Sequence, residues 1–204
     1  MPRVVSGQFR GTVLAAPKGE RTRPTTDKVK EALFSMIQGR IPGAGMLDLF
    51  SGSGQIGIEA VSRGASKAVL VDKAGDSVAV IKQNLGKIHF IERRRSNGEF
   101  VSDKEPEGEV RFRVMKSSIS TALEQLGQEQ AKFDLIFMDP PYKIAEEQLN
   151  EVATAIMKYD LLNDDGILIV EHANDTDLNK DVINLQFNRS CSYGLSVITF
   201  FSKL

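Results

Sequence analysis

The stretch Phe133-Asp-Leu-Ile-Phe-Met-Asp-Pro-Pro-Tyr142 holds an apolar run of strand length that ends at an acid, two prolines and an aromatic ring. The unbroken hydrophobic run over residues 135–138 is typical of a central parallel strand that is covered on both faces. Asp139 then stands at the carboxyl end of that strand, where ligands bind in open α/β sheets. Pro140 and Pro141 cannot donate backbone hydrogen bonds, so the chain leaves the sheet there. The stretch therefore predicts an α/β fold with a ligand site at this edge.

The residues after this strand suit a planar amine. The Asp139 carboxylate and the Pro140 carbonyl are two hydrogen-bond acceptors on a stiff turn, which match the two N–H groups of a nucleobase amine. Tyr142 offers a flat face on which the base can stack, and a base held this way is unpaired. Turn chemistry also explains both prolines, so a strand-terminating turn with a surface tyrosine is the alternative. We take Asp139, Pro140 and Tyr142 as candidate catalytic residues.

Composition limits the class of protein. With 204 residues, 41% of them hydrophobic, the chain can bury the core of one domain with a small appendage. No apolar run approaches the roughly 20 residues that cross a membrane, and the first residues lack a signal-peptide core, so we expect a cytoplasmic protein. A single cysteine, Cys191, agrees with a reducing compartment. His89 and His172 lie far apart without a cysteine cluster, so we expect no metal.

Charge is unevenly placed along the chain. The net charge is −1, but residues 1–30 hold seven basic residues against two acidic ones, which leaves −6 for the remainder. This asymmetry favours a basic arm that contacts phosphates, and a merely solvated N-terminus is the alternative. The candidate RNA-binding residues are Arg3, Arg10, Arg21, Arg23 and Lys28.

The first residues predict a small extension ahead of the main domain. Residues 3–15 alternate loosely around two glycines, which predicts a short hairpin. The polar stretch Arg21-Thr-Arg-Pro-Thr-Thr26 then leads into a helix, near whose N-terminus anions are favoured, unless the stretch is only an exposed loop. We therefore expect residues 1–22 to form a basic hairpin extension and residues 23–204 to form the main domain.

A glycine-rich turn follows the first core strand. Met46-Leu-Asp-Leu-Phe50 runs into Ser51-Gly-Ser-Gly-Gln-Ile-Gly57 and then into a helical pattern. Gly52, Gly54 and Gly57 match G-x-G-x-x-G in the strand–turn–helix context that this motif requires. Such glycines let the backbone approach a ligand closely, and a structural turn without a ligand is the alternative.

Two acids near this turn indicate which ligand it holds. Asp72 ends the strand over residues 68–72, about twenty residues past Gly52, and suits the hydroxyls of a ribose in NAD or S-adenosylmethionine. Asp48 distinguishes between the two ligands. Its carboxylate would repel the pyrophosphate of NAD and attract the ammonium group in the methionine moiety of S-adenosylmethionine. We therefore favour S-adenosylmethionine. A buried Asp48 that only accepts hydrogen bonds from loop amides is the alternative.

The rest of the chain alternates strands and helices. This pattern predicts a doubly wound sheet, and two adjacent strands near 185–192 and 195–202 imply one antiparallel member. Residues 91–109 are polar, of mixed charge and without periodicity, so we expect an exposed loop.

These motifs together carry a family resemblance over nearly the whole chain. The cofactor and catalytic stretches resemble those of class I S-adenosylmethionine-dependent methyltransferases that act on an exocyclic amine: Leu47–Gly57, Val71-Asp-Lys73 and Asp139-Pro-Pro-Tyr142. Further stretches make the chain similar to the RsmD family, the bacterial 16S ribosomal RNA guanine-N2 methyltransferases: Ser6-Gly-Gln-Phe-Arg-Gly11, Arg23–Phe34 and Val170-Glu-His172.

The resemblance implies a Rossmann-like, seven-stranded, mostly parallel sheet of order 3-2-1-4-5-7-6 with strand seven antiparallel. It implies a monomer that methylates one guanine of 16S rRNA in an assembled small-subunit particle. It also implies that the cofactor contacts Phe50, Ser51 and Lys73, besides Asp48, Gly52, Gly54 and Asp72. Family members usually carry an acid near the adenine amine, where this chain has Ser118, so we expect a hydroxyl or backbone contact and weaker adenine discrimination. The 91–109 loop is longer than is usual in the family.

In the implied mechanism Asp139 and the Pro140 carbonyl accept the two amine hydrogens and orient the nitrogen lone pair. With an ordinary aspartate pKa of about 3.9, Asp139 would be an orienter and charge stabiliser rather than a base that acts beforehand. Three other functions remain open: amine methylation of adenine N6 in DNA or RNA, nicotinamide-dependent oxidoreduction, and RNA binding without catalysis.

Overall fold

A computed structural model describes residues 2–17, 26–88, 93–94, 100–101, 111–176, 178–182 and 184–204. Two of the candidate RNA-binding residues, Arg21 and Arg23, lie outside these ranges. So does most of the predicted 91–109 loop, in which only two strands of two residues each are described, β3 (Arg93–Arg94) and β4 (Phe100–Val101), paired antiparallel. Within the described residues, no helix is long and apolar enough to cross a membrane.

Seven further strands form one sheet. They are β1 (Gly45–Leu49), β2 (Lys67–Asp72), β5 (Phe112–Lys116), β6 (Phe133–Met138), β7 (Leu162–Ala173), β8 (Leu185–Tyr193) and β9 (Ser196–Lys203). Their order in the sheet is β5-β2-β1-β6-β7-β9-β8. Counted along the chain within this sheet, the order is 3-2-1-4-5-7-6, and β9 runs antiparallel to both of its neighbours. The predicted sheet order and its single antiparallel strand are confirmed.

Within the residues that the structure describes, five α-helices cover the two faces of the sheet. They are α1 (Asp27–Met36), α2 (Gln55–Ser62), α3 (Gly75–Leu85), α4 (Ile119–Gln128) and α5 (Ala145–Tyr159). Because successive strand residues point to opposite faces, Leu47 and Leu49 pack into the core beside α4 and α5. Met46 packs into the second core, beside α1, α2, α3 and the N-terminal segment. All five residues of β1 are buried, as expected for a strand covered on both sides.

The carboxyl ends of β1 and β6 are level with one another, and β7 continues beside them for three more residues. Leu49 of β1 pairs with Met138 of β6, and Met138 pairs with Val170 of β7. The chain positions that follow these residues therefore meet at one edge of the sheet. That edge holds the glycine turn, Asp139 and Glu171, which are far apart in the sequence.

The N-terminal segment, residues 2–17, packs onto the α2 side of this sheet. Its apolar residues Val4, Phe9 and Leu14 are buried in the same core as α1 and α2. The chain reverses as predicted, but it does so with a single antiparallel bridge between Arg3 and Val13 rather than with a two-stranded ladder. The reason is that residues 6–11 are bends and turns, whose backbone is not extended.

Candidate active site

The turn after β1 has the tight backbone conformation that its glycines predict. Gly52 and Gly54 have φ angles of 55° and 77°, in the left-handed region, and Gly54 is the N-cap of α2. At Gly57 a side chain would lie 2.2 Å from the Leu70 side chain, so α2 packs against the sheet without a Cβ there. Phe50 adopts a φ of 60°, which is uncommon and strained for a residue other than glycine and is typical of functional sites.

Asp48 lies buried beneath this turn. Its side chain accepts a hydrogen bond from the Gly57 amide at 3.1 Å, and its carbonyl accepts one from the Ser51 hydroxyl at 2.6 Å. Burial raises the pKa of Asp48 to about 7, an effect that the Gly57 hydrogen bond opposes. Asp48 therefore does bond a backbone amide, as the alternative interpretation expected, but that amide belongs to the first turn of α2 rather than to the loop. It also places a carboxylate that is costly to ionise where a cation would relieve that cost.

Asp72, on the neighbouring strand β2, stabilises the same turn. One of its carboxylate oxygens accepts from the Gly52 amide at 2.9 Å and the other from the Ala74 amide at 2.8 Å. It stands at the end of β2, and its predicted role in ribose binding remains a prediction. Lys73 next to it is exposed.

Ser118, the predicted replacement for an acid near the adenine, is the N-cap of α4. Its hydroxyl accepts a hydrogen bond from the Thr121 amide at 3.2 Å and donates one to the Thr121 hydroxyl at 2.8 Å. The side chain is exposed, and it lies after β5, the strand next to β2. Capping accounts for the serine in this position.

The turn after β6 presents the candidate catalytic residues. Asp139 is half-buried, Pro140 is buried, and Tyr142 exposes 40% of its surface. Tyr142 begins a single 3₁₀ turn, Tyr142–Ile144, that leads into α5. The acid and the proline carbonyl thus sit at the rim of the sheet, with the aromatic ring directed outward enough for a base to reach it.

Asp139 has two acidic neighbours. Glu171 lies in β7, two residues before its end, and is buried, and Asp48 lies on β1. Burial, and then the negative charges of Glu171 and Asp48, raise the pKa of Asp139 well above its ordinary value. The expectation of an ordinary aspartate pKa was therefore wrong, because the sheet order brings these three carboxyl groups together. Sequence analysis also missed Glu171, although the Val170-Glu-His172 stretch was the signal that could have found it.

His172 points to the other face of the sheet. Its ring nitrogens lie 3.0 Å from the Ala173 carbonyl and 2.9 Å from the Thr199 hydroxyl, and burial lowers its pKa. A neutral, hydrogen-bonded imidazole fits this environment, so His172 is a structural neighbour of the site rather than part of it.

Three of the predicted RNA-binding residues are described, and all three are exposed: Arg3, Arg10 and Lys28. Arg3 forms an ion pair with Asp27 at 3.0 Å. Lys30, which contributed to the basic count of this region, is instead fully buried, with Glu59 at 3.5 Å. The basic surface is therefore smaller than the sequence count suggests.

The sheet order, the glycine turn with its two acids and the Asp-Pro-Pro-Tyr turn define a Rossmann-like class I methyltransferase. A family model described as Conserved hypothetical protein 95 matches residues 2–202. The chain belongs to this family, the RsmD family that its motifs predicted.

Named relatives agree with this assignment. A Bacillus subtilis protein, YlbH, named provisionally as an rRNA methyltransferase, is 35% identical over 201 residues, 98% of each chain. The Ribosomal RNA small subunit methyltransferase D of Escherichia coli is 31% identical over 171 residues, 83% of this chain and 70% of that protein. A solved Escherichia coli structure, described provisionally as the methyltransferase yhhF, is 27% identical with a TM-score of 0.77 and covers 99% of this chain and 97% of its own.

Proposed function

We propose that this protein transfers a methyl group from S-adenosylmethionine to the N2 amine of one guanine in 16S ribosomal RNA. The observation that carries the proposal is the meeting of Asp139 with the glycine turn at adjacent strand ends, β6 and β1. A methyl donor above the turn and an amine held at Asp139 would then be neighbours. The rRNA substrate is supported by the named relatives, one of which acts on the small ribosomal subunit by name.

The residues present fit this donor. It supplies an activated methyl group and carries positive charge on its sulfonium and ammonium groups. Asp48 is buried and has a pKa near 7, so a nearby cation would favour its charged form. Asp72 stands at the end of β2 in the position suited to a ribose, and Gly52 and Gly54 leave room for close approach.

Three residues of the Asp-Pro-Pro-Tyr turn would contact the guanine. The Asp139 carboxylate and the Pro140 carbonyl accept hydrogen bonds from the amine, which orients its lone pair, while Tyr142 stacks on the ring. The amine must lose one proton as it gains a methyl group. Because its pKa is raised, Asp139 is a stronger base than an ordinary aspartate, so it orients the amine and also accepts that proton.

The test compares variants for methyl transfer to small subunits purified from a strain that lacks the enzyme. Asp139→Ala is expected to lower the rate by about a hundredfold or more, the scale of a lost acid–base residue. Tyr142→Ala is expected to lower it by about tenfold to a hundredfold, the scale of a lost base stack, whereas Tyr142→Phe keeps the ring and most of the rate. Near-normal rates for both alanine variants would refute the catalytic assignment.

The position of the methyl group tests the substrate. Mapping of the modified nucleotide should find one N2-methylguanine in 16S rRNA. Faster transfer to DNA, or methylation at adenine N6, would replace the proposal with the adenine alternative. Tighter binding of NADH than of S-adenosylmethionine would favour an oxidoreductase.

A further inference from the structure

Asn84 of α3 joins two parts of the molecule that have separate tasks in the proposed reaction. Its side chain is fully buried. Its Oδ1 accepts a hydrogen bond from the Ala15 amide at 2.7 Å, and its Nδ2 donates to the Ala15 carbonyl at 3.0 Å. The same Nδ2 donates to the Ser53 carbonyl at 2.9 Å. One amide group thus bonds the N-terminal segment and the glycine turn at once.

On the cofactor side, Asn84 holds the peptide between Ser53 and Gly54. The amide of that peptide donates to the Ser51 carbonyl at 2.7 Å, and Gly54, in the left-handed region, then starts α2. A peptide held at both its carbonyl and its amide cannot rotate without breaking a buried hydrogen bond, which is unfavourable. Asn84 therefore stabilises the conformation of the turn that faces the cofactor.

On the substrate side, Asn84 holds the chain close to the predicted RNA-binding arginines. Ala15 precedes Arg21 and Arg23 by a few residues, and Arg3 and Arg10 belong to the same N-terminal segment. Both the amide and the carbonyl of Ala15 are bonded to Asn84, as a neighbouring strand would bond them. Any displacement of this segment on RNA binding would alter the two hydrogen bonds between Ala15 and Asn84.

We infer that Asn84 is a positioning residue through which docking of RNA on the N-terminal segment and binding of the cofactor at the glycine turn strengthen each other. This inference rests on the proposed function, and it adds a coupling between its two substrates. Coupling of this kind is reciprocal, because each ligand favours the same arrangement of Ala15, Asn84 and Ser53.

A second set of contacts provides a matched control. The Ser62 hydroxyl of α2 accepts a hydrogen bond from the Phe9 amide at 2.9 Å and donates to the Ser6 carbonyl at 2.6 Å. Ser62 therefore also holds the N-terminal segment in place. It lies at the last position of α2, and its two side-chain hydrogen bonds among the described residues go to the N-terminal segment rather than to the glycine turn. Ser62→Ala should loosen the segment without breaking the link to the cofactor.

The experiment measures the affinity for S-adenosylhomocysteine by calorimetry, with and without saturating small subunits from a strain that lacks the enzyme. In the wild-type protein the subunits should raise this affinity by about fivefold or more, the lower range of measured couplings. In Asn84→Ala the ratio of the two affinities should fall to within about twofold of unity. Ser62→Ala should keep the wild-type ratio.

Ala15→Pro tests the same link from its other side. Proline removes the amide that donates to Asn84 and leaves Asn84 itself in place, so it is informative even if Asn84→Ala fails to fold. In this variant too, the ratio of the affinities for S-adenosylhomocysteine with and without small subunits should fall below that of the wild type.

A purely structural role for Asn84 would weaken binding equally in both conditions and leave the ratio unchanged, which would overturn the inference. An unchanged affinity in the wild-type protein when subunits are added would overturn it too. In both cases the cofactor still binds, so the proposed function stands. Absence of any binding of S-adenosylhomocysteine would refute the proposed function itself, and the coupling with it.

Discussion

Replacement of Asp48 by asparagine should make the unliganded protein more stable, and increasingly so as the pH rises. Asparagine keeps an oxygen that can accept the hydrogen bond from the Gly57 amide, but it removes a charge that is buried at neutral pH. In the folded protein the pKa of Asp48 is raised from 3.8 to about 7. Between these two values the folded state holds a proton that the unfolded chain has released, so the free energy of unfolding of the wild-type protein falls as the pH rises.

The size of the effect follows from that interval. At about 1.4 kcal/mol per pH unit, the rise of the Asp48 pKa from 3.8 to about 7 corresponds to about 4 kcal/mol in total. About 3 kcal/mol of this stability is lost between pH 5 and pH 8, because the loss begins below pH 5 and ends once the pH has passed the folded-state pKa of about 7. The Asp48→Asn variant has no carboxyl group at this position, so its free energy of unfolding does not fall for this reason as the pH rises.

The assay is urea unfolding of both proteins without ligand at several pH values between 5 and 8. The difference in unfolding free energy between variant and wild type should grow by about 3 kcal/mol over this range. Asp160→Asn is the control, because Asp160 is exposed and its ion pairs with Lys132 and Lys203 lower its pKa to about 2. Its effect should stay flat from pH 5 to pH 8. A flat difference for Asp48→Asn would show that Asp48 is already ionised at pH 5 and would refute the argument.

Three further changes have defined outcomes. Gly7→Ala would place a Cβ 1.8 Å from the Ser62 carbonyl oxygen and should detach the N-terminal segment from α2. The measurement is hydrogen exchange of the Phe9 amide, which should become faster. Gly11→Ala is the control, because its Cβ would meet no atom within 4 Å. Glu59→Ala would leave the buried Lys30 without its buried partner, and should lower the free energy of unfolding by about 3–5 kcal/mol in urea titrations. Asp139→Asn should raise the unfolding free energy more at pH 8 than at pH 5 while abolishing methyl transfer, because the raised pKa of this acid makes its charge unfavourable in the unliganded fold.

The proposed active site thus costs stability. Burial disfavours the charged forms of Asp48 and Asp139, and the negative charges of Glu171 and Asp48 add to this effect at Asp139. Uncharged residues at Asp48 and Asp139 would remove this cost, and a cation bound beside these acids, as the proposed function requires, would offset it. Departures of this kind from good packing are expected at functional sites.

The amino-acid sequence by itself determined the elements and the local motifs. The apolar run over residues 135–138 predicted a buried strand, and the glycines at 52, 54 and 57 predicted a tight strand–turn–helix connection; the structure has both. These features depend on neighbours along the chain, and so they can be read without a structure. The order of the strands was predicted only through the family resemblance, because strand pairing joins residues far apart in the chain.

The tertiary structure alone decided which charges meet. The sheet order places Asp48, Asp139 and Glu171 at one edge, and this proximity is what raises the pKa of Asp139. Packing of the N-terminal segment on α2 also removed Lys30 from the basic surface and placed Asn84 between Ala15 and Ser53. Burial and charge proximity are properties of the folded arrangement as a whole, so neither the composition nor the spacing of residues could reveal them.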